Sequence, residues 1–284
     1  MRYPAAMPVA EFPGIETHFR GGHYAVLDSG AHVLAWTPPG RNPVLWVSPL
    51  AVIEPGTAVR GGVPVVFPWF GAGISGDRKP SHGFARTAAW RRTSVVNELA
   101  AAGRLEVRHE LDDAGLGTQP FIAELVAGFS PTELSVTLRV RNPGPGPFRY
   151  EAALHTYLAV SDVSAVTLDG LDGCSYLDKA DGAATDEVPQ QGVLRIEGEV
   201  DRVYRHTGEV VLTDHEWGRR LHVRKQGSAN TVVWNPGATK GAALPDVGPN
   251  WPGFVCIEAG NVRDAAVGLA PGEEHILTQT VHLS

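Results

Sequence analysis

Four segments of this chain join rigid backbone residues to side chains that can move protons or hold anions. In Phe254-Val255-Cys256-Ile257-Glu258-Ala259-Gly260 a glutamate ends a strongly apolar run. Glutamates are rarely buried unless paired or functional. Loss of water raises a carboxyl pKa toward the range a general base uses. A strand-end glutamate turned out to solvent fits the same letters. In Ala152-Ala153-Leu154-His155-Thr156-Tyr157-Leu158-Ala159-Val160, an extended backbone puts His155 on one face with Ala153, Tyr157 and Ala159. Small neighbours leave room beside the imidazole, which titrates near ~6.5 and can give or take a proton. A hydrogen-bonded core histidine is the alternative.

The other two segments carry arginines. Arg60-Gly61-Gly62-Val63-Pro64 continues as an apolar run to Pro68-Trp69. The glycines permit a tight turn and the prolines fix φ, so the segment can mount Arg60 stiffly. A surface arginine at a turn is the plainer reading of the segment alone. Pro80-Ser81-His82-Gly83-Phe84-Ala85-Arg86 holds a histidine and an arginine four apart. If extended, both point to one face, and Arg86 can meet a phosphate or carboxylate through paired donors. Asp201, in Asp201-Arg202-Val203-Tyr204, offers a carboxylate to sugar hydroxyls or sits in a solvated turn. Trp234 is a core residue or a platform for a sugar ring.

Short, frequent hydrophobic runs must position these groups. Leu134, Val136, Leu138 and Val140 alternate with polar residues, the mark of a half-buried strand. Similar runs fall at 24–27, 32–37, 44–47, 63–67, 105–109, 152–160, 166–168 and 193–196. They recur at 209–213, 221–224, 231–234, 254–258 and 275–283. Turn signals such as Asn142-Pro143-Gly144 and Asp181-Gly182 punctuate them. No amphipathic helix of ordinary length is visible, and 181–191 reads as a polar loop. The pattern predicts an all-β sandwich, as one domain over residues 1–284.

The 284 residues are 43% hydrophobic, enough to fill a large core without disulfides or metals. A net charge of -7 disfavours nonspecific nucleic-acid binding, although a local arginine pair can still attract a small anion. Cys174 and Cys256 lack paired spacing and read as buried free thiols. The eleven histidines are scattered without metal-ligand spacing. Met1-Arg2-Tyr3-Pro4 starts no apolar leader, and no run is long enough to span a bilayer. A cytoplasmic protein with no membrane partner is expected. Phosphate-binding, dinucleotide-binding and metalloprotease motifs are all absent.

Taken in order, several segments resemble a known family. They are Gly30-Ala31-His32-Val33-Leu34, Trp46-Val47-Ser48-Pro49, the Arg60 segment, His82-Gly83-Phe84-Ala85-Arg86 and His155-Thr156-Tyr157. Asp201-Arg202-Val203-Tyr204, Val233-Trp234-Asn235-Pro236 and Cys256-Ile257-Glu258 complete the set. The order is that of the aldose 1-epimerase (galactose mutarotase-like) superfamily. Within it the chain looks like the glucose-6-phosphate 1-epimerase branch. The resemblance implies an antiparallel β-supersandwich, with His155 as general acid and Glu258 as general base. It implies that Arg60 and Arg86 hold a 6-phosphate, that Asp201 binds a hydroxyl, and that His82 is a further active-site histidine. Ser81 stands where relatives often carry a glutamine that contacts substrate.

The implied reaction interconverts the α and β anomers of a hexose 6-phosphate by opening and closing the ring. It asks for an acid and a base on opposite sides of one acetal centre. It needs no cofactor and no metal, and a monomer is expected. Three rivals stand beside it: a mutarotase of unphosphorylated aldoses, a non-catalytic carbohydrate-binding β-sandwich, and a sugar lyase or glycosidase on a related sandwich.

Overall fold

The computed structural model describes residues 13–113, 119–180, 182–183 and 186–284. The N-terminal tetrapeptide and Asp181 of the Asp181-Gly182 turn lie outside them. Two eight-stranded sheets dominate, joined by a three-stranded and a two-stranded sheet. The ladders of both large sheets are antiparallel.

The rear sheet contains Glu133–Arg141, whose alternation is reproduced: Leu134, Val136, Leu138 and Val140 are buried while Ser135, Thr137 and Arg139 are not. Glu274–Leu283 and Ile122–Phe129 flank it. The front sheet runs Val188–Pro189, Ser175–Asp178, Val200–Arg205, Asn230–Asn235, Phe254–Asn261, Ala152–Leu154 and Val65–Val66, with Tyr157–Ala159 also paired to Phe254–Asn261. Val255, Ile257 and Ala259 turn one way and join the rear sheet's leucines and valines in the main core. Phe254 and Cys256 turn the other way, into a separate cluster with Trp46 and Tyr157. Period two therefore assigns one face of the front sheet to the core and the other to the site.

Several boundaries differ from expectation. Residues 44–47 and 193–196 form only isolated bridges, Leu45 to Leu158, Val47 to Gly61 and Leu168 to Leu194. Ile122–Phe129 alternates in burial, but its outward Ile122, Val126 and Gly128 hide the period in the letters. Arg91–Glu98 is a mostly exposed edge strand. Within the expected loop 181–191, Val188–Pro189 adds a two-residue strand to the sheet edge, where a proline's missing donor costs nothing. The α-helices among the described residues are short, Leu99–Ala102 and Gly237–Ala243. Both cysteines are free, but Cys174 is only half-buried.

Candidate active site

The front sheet's register brings the acid–base candidates together. Leu154 lies opposite Ala259, and Tyr157 lies opposite Cys256. Counting inward from both ends sets His155 opposite Glu258. Directly opposed residues hold their Cβ atoms about 5 Å apart, and His155 Nε2 lies 3.3 Å from Glu258 Oε1. The two are thus in direct contact on one face, not on opposite sides of a gap. Between them the ladder is carried by Thr156, whose carbonyl accepts from Ile257 N at 3.2 Å. The Thr156 hydroxyl donates to Gln279 Oε1 on the rear sheet, and Gln279 Nε2 donates to the Ile257 carbonyl at 2.7 Å. Gln279 braces both strands from behind.

The neighbouring row on the same face reads Asp201, Trp234, Cys256 and Tyr157, one residue from each successive strand. Lys179 extends it: its N–H donates to the Asp201 carbonyl at 2.7 Å and its Nζ lies 3.3 Å from Asp201 Oδ1. Tyr157 stacks on His155 with ring centroids 4.8 Å apart and planes 9° apart. Trp234 meets His155 edge-on at 5.9 Å.

Glu258 is 1% exposed and His155 8%. Burial pushes the Glu258 carboxyl well above the ordinary carboxylate value; Asp201 adds to the rise and Lys179 opposes it. Burial, then His82, Arg60 and Arg86, push the His155 imidazole well below its ordinary value. Both directions favour the uncharged form, so burial draws the 3.3 Å contact away from an ion pair and toward a neutral acid beside a neutral imidazole. His155 Nδ1 and Glu258 Oε2 are buried with no hydrogen-bond partner in the protein. Such orphans are uncommon and call for a reason.

The arginines border this pair. Arg60 Nη1 donates to Tyr157 Oη at 3.0 Å, Arg60 Nε donates to Asp246 Oδ2 at 2.9 Å, and the guanidinium lies over Trp234. Arg86 is committed less: Nη2 donates to the Ser81 carbonyl at 2.6 Å, while its buried Nε has no partner. Burial lowers the Arg86 pKa, and the like charge of Arg60 lowers it further. Two guanidiniums near enough to repel each other favour an anion beside them.

The segment from Ser81 to Arg86 is not extended. His82 has a φ of 66° and Gly83 one of 74°, and Ala85–Thr87 forms a 3-10 helix. Gly83 cannot be replaced freely: a Cβ there would lie 2.0 Å from the Phe67 carbonyl oxygen. This tight seat points the His82 ring at the site, edge-on to His155 at 5.8 Å. Gly71 N donates to His82 Nδ1 at 3.3 Å, so the neutral ring carries its proton on Nε2. Burial, then Arg86, Lys179 and Arg60, bring His82 down to about 3. Ser81 is exposed, and what it gives the site is its carbonyl, the anchor of Arg86.

His155, Glu258, His82, Arg60, Arg86 and Asp201 therefore gather on one face, with Ser81 at its rim. Sequence reasoning passed over Lys179, Asp246 and Gln279. None of the three carried a local signal, because Ser175–Asp178, the strand that ends beside Lys179, is not among the runs legible in the sequence.

Comparison with known proteins bears on the family of the chain. The family model described as "Aldose 1-epimerase" matches residues 15–282. A Cenchrus ciliaris protein named "Putative glucose-6-phosphate 1-epimerase" is 33% identical over 260 residues, covering 86% of this chain and 76% of the relative. An Escherichia coli K12 protein of the same name is 33% identical over 231 residues, 81% of this chain and 76% of that one. Among solved structures, a Salmonella typhimurium protein described as a "putative mutarotase" superposes with a TM-score of 0.85 at 27% identity, over 95% of this chain and 90% of that one. With the family match running almost end to end, the chain belongs to the aldose 1-epimerase family and is an isomerase.

Proposed function

We propose that this protein interconverts the α and β anomers of a hexose 6-phosphate, with Glu258 and His155 as the proton-transfer pair. The observation that carries the reading is the buried His155–Glu258 contact at 3.3 Å with two arginines at its border. O1 and O5 of a cyclic sugar are bonded to the same carbon, so two groups in contact can serve both oxygens.

Opening begins with Glu258 as carboxylate and His155 as imidazolium. Glu258 takes the proton of the O1 hydroxyl, the C1–O5 bond breaks, and His155 protonates O5. The product is the open aldehyde beside a neutral acid and a neutral imidazole, the form that burial favours in the substrate-free protein. Rotation about C1–C2 presents the other carbonyl face. Closure reverses each transfer: O5 attacks C1 and gives its proton to His155, while Glu258 protonates O1. The working and resting forms contain the same single proton, so one hop along the contact converts them. Each transfer group contributes roughly 10²–10⁴-fold. No electron leaves the sugar, and the cycle balances without a co-reactant.

The 6-phosphate is the group Arg86 and Arg60 suit. Arg86 has a buried donor to spare, and Arg60 is oriented by Asp246 and Tyr157. Held there, the phosphate anchors the sugar far from C1, where its binding energy serves orientation. Asp201 and Lys179 offer an acceptor and a donor side by side to ring hydroxyls. Exchange NMR on glucose 6-phosphate and glucose, with and without protein, tests the reading. Acceleration of the phosphorylated sugar alone is expected; equal acceleration of both removes the phosphate role, and none removes the catalytic one.

A further inference from the structure

The separate three-stranded sheet begins with the hairpin of Gly14–Phe19 and Gly22–Leu27. Its two-residue turn, Arg20-Gly21, has φ values of 50° and 80°, the double left-handed pattern of a tight hairpin turn. Phe19 and Gly22 close that turn, and His18 and His23 are the next cross-strand pair. In such a hairpin this second pair is the closely spaced kind, with Cα atoms about 4.5 Å apart. The two imidazoles stack with centroids 4.5 Å apart and planes within 3°. Glu16 lies two residues before His18, hence on the same face. It reaches diagonally to His23, whose Nε2 is 2.8 Å from Glu16 Oε1. One ligand atom from each of the three lies within 4.8 Å of the others.

We propose that this hairpin face binds one divalent transition-metal ion through Glu16, His18 and His23. Two imidazoles and a carboxylate are a donor set for Zn²⁺, and also for Ni²⁺ or Cu²⁺, whereas Mg²⁺ and Ca²⁺ take oxygen ligands. Bonds of roughly 2.1 Å put the corners of a tetrahedral site roughly 3.4 Å apart. The separations here must close by at most roughly 1.4 Å. Side-chain rotation can supply that, because His18 is exposed and Glu16 and His23 are only half-buried. Three protein ligands leave the fourth position open to water. The linear spacing of these residues conceals the cluster; only the hairpin's register assembles it. Bound here, the ion would pin the two strands of the hairpin together, on a sheet separate from the one that carries His155 and Glu258.

The test titrates ZnCl₂ into the whole protein by calorimetry, with MgCl₂ as control, and follows thermal unfolding with and without zinc. One zinc site is expected, with a rise in melting temperature and no response to magnesium. His18→Ala and His23→Ala should each weaken zinc binding at least about tenfold, and Glu16→Gln somewhat less. The double histidine variant should lose both the binding and the melting shift while keeping its epimerase rate, which reports that it is folded. Zinc binding unchanged in the double variant, or no zinc binding by the parent protein at 100-fold molar excess, overturns the proposal.

Discussion

Replacing Glu258 by glutamine separates the carboxyl's chemistry from its packing. The side chain is 1% exposed and its acid form is neutral. An amide of nearly the same shape should therefore fill the site without a cavity or a new charge. It cannot accept the O1 proton, so the rate should fall by about 10²–10⁴, or about 2.7–5.5 kcal/mol of barrier. Stability should move the other way. Because the folded-state pKa of Glu258 is raised, the folded chain keeps a proton that the unfolded chain releases above its ordinary carboxylate value of ~4.3. Its contribution is complete below that value and is lost as pH rises through the folded-state value. The glutamine variant has no such loss. Its melting temperature relative to wild type should rise with pH across this window. Exchange NMR on glucose 6-phosphate gives the rate, and calorimetric melts at stepped pH give the stability. A variant within tenfold of the wild-type rate, or one whose relative stability falls with pH, refutes the reasoning.

Four other outcomes follow from the same geometry. The anomerisation rate should plateau between an acid and an alkaline limb, because the coupled pair gains a second proton only well below ordinary histidine values and loses its last well above ordinary carboxylate values; a single sigmoid would contradict this. Lys179→Met removes the cation that lowers the Glu258 pKa, so the alkaline limb of that profile should move to higher pH; an unmoved limb would sever Lys179 from the pair. Arg86→Ala should raise KM for the phosphorylated sugar by roughly 10- to 150-fold, the ~1.5–3 kcal/mol of a charged hydrogen bond, and leave free glucose little changed; equal losses would count against a phosphate contact. Gly83→Ala should destabilise by about 3 kcal/mol or more in chemical denaturation, because its Cβ would meet the Phe67 backbone at 2.0–2.3 Å at a positive φ; a neutral result would mean that the loop can open.

What could be read from the letters follows from how far each constraint reaches along the chain. Alternation at 134–140 is local, so the strand and its buried face were readable. The shared face of Ala153, His155, Tyr157 and Ala159 was readable for the same reason. The apposition of His155 with Glu258 was not, because it rests on register between segments about a hundred residues apart. Only the family resemblance linked them. Arg86 was expected beside His82 through strand periodicity, yet a left-handed turn and a 3-10 helix bring them there. Positive φ at a histidine leaves little trace in composition. Asp246 and Gln279 act by orienting Arg60 and by bracing Thr156, tasks that exist only after folding. The His18–His23 pair is the converse case: a two-residue turn fixes its register locally, yet spacing rules drawn from helices and knuckles pass over it.

The burial that makes His155 and Glu258 uncommon also makes them suited to a reaction that must run in both directions. In water a carboxylic acid and an imidazole rest as an ion pair, since their pKa values differ by ~2 in that sense. Ring opening would then be favoured by the resting protonation state and ring closure disfavoured. Desolvation disfavours both charges, bringing the neutral pair down toward the energy of the ion pair or below it. The nearer the two forms lie in energy, the less either direction pays in moving the shared proton. The arginines complete the balance, because they lower the imidazole further, and a bound phosphate would cancel part of their effect. Substrate with its phosphate should therefore raise the His155 pKa relative to the free protein. The 6-phosphate then takes part in setting the proton's position as well as the sugar's. A histidine resonance that titrates identically with and without bound hexose 6-phosphate would show that the arginines and the pair are electrostatically independent.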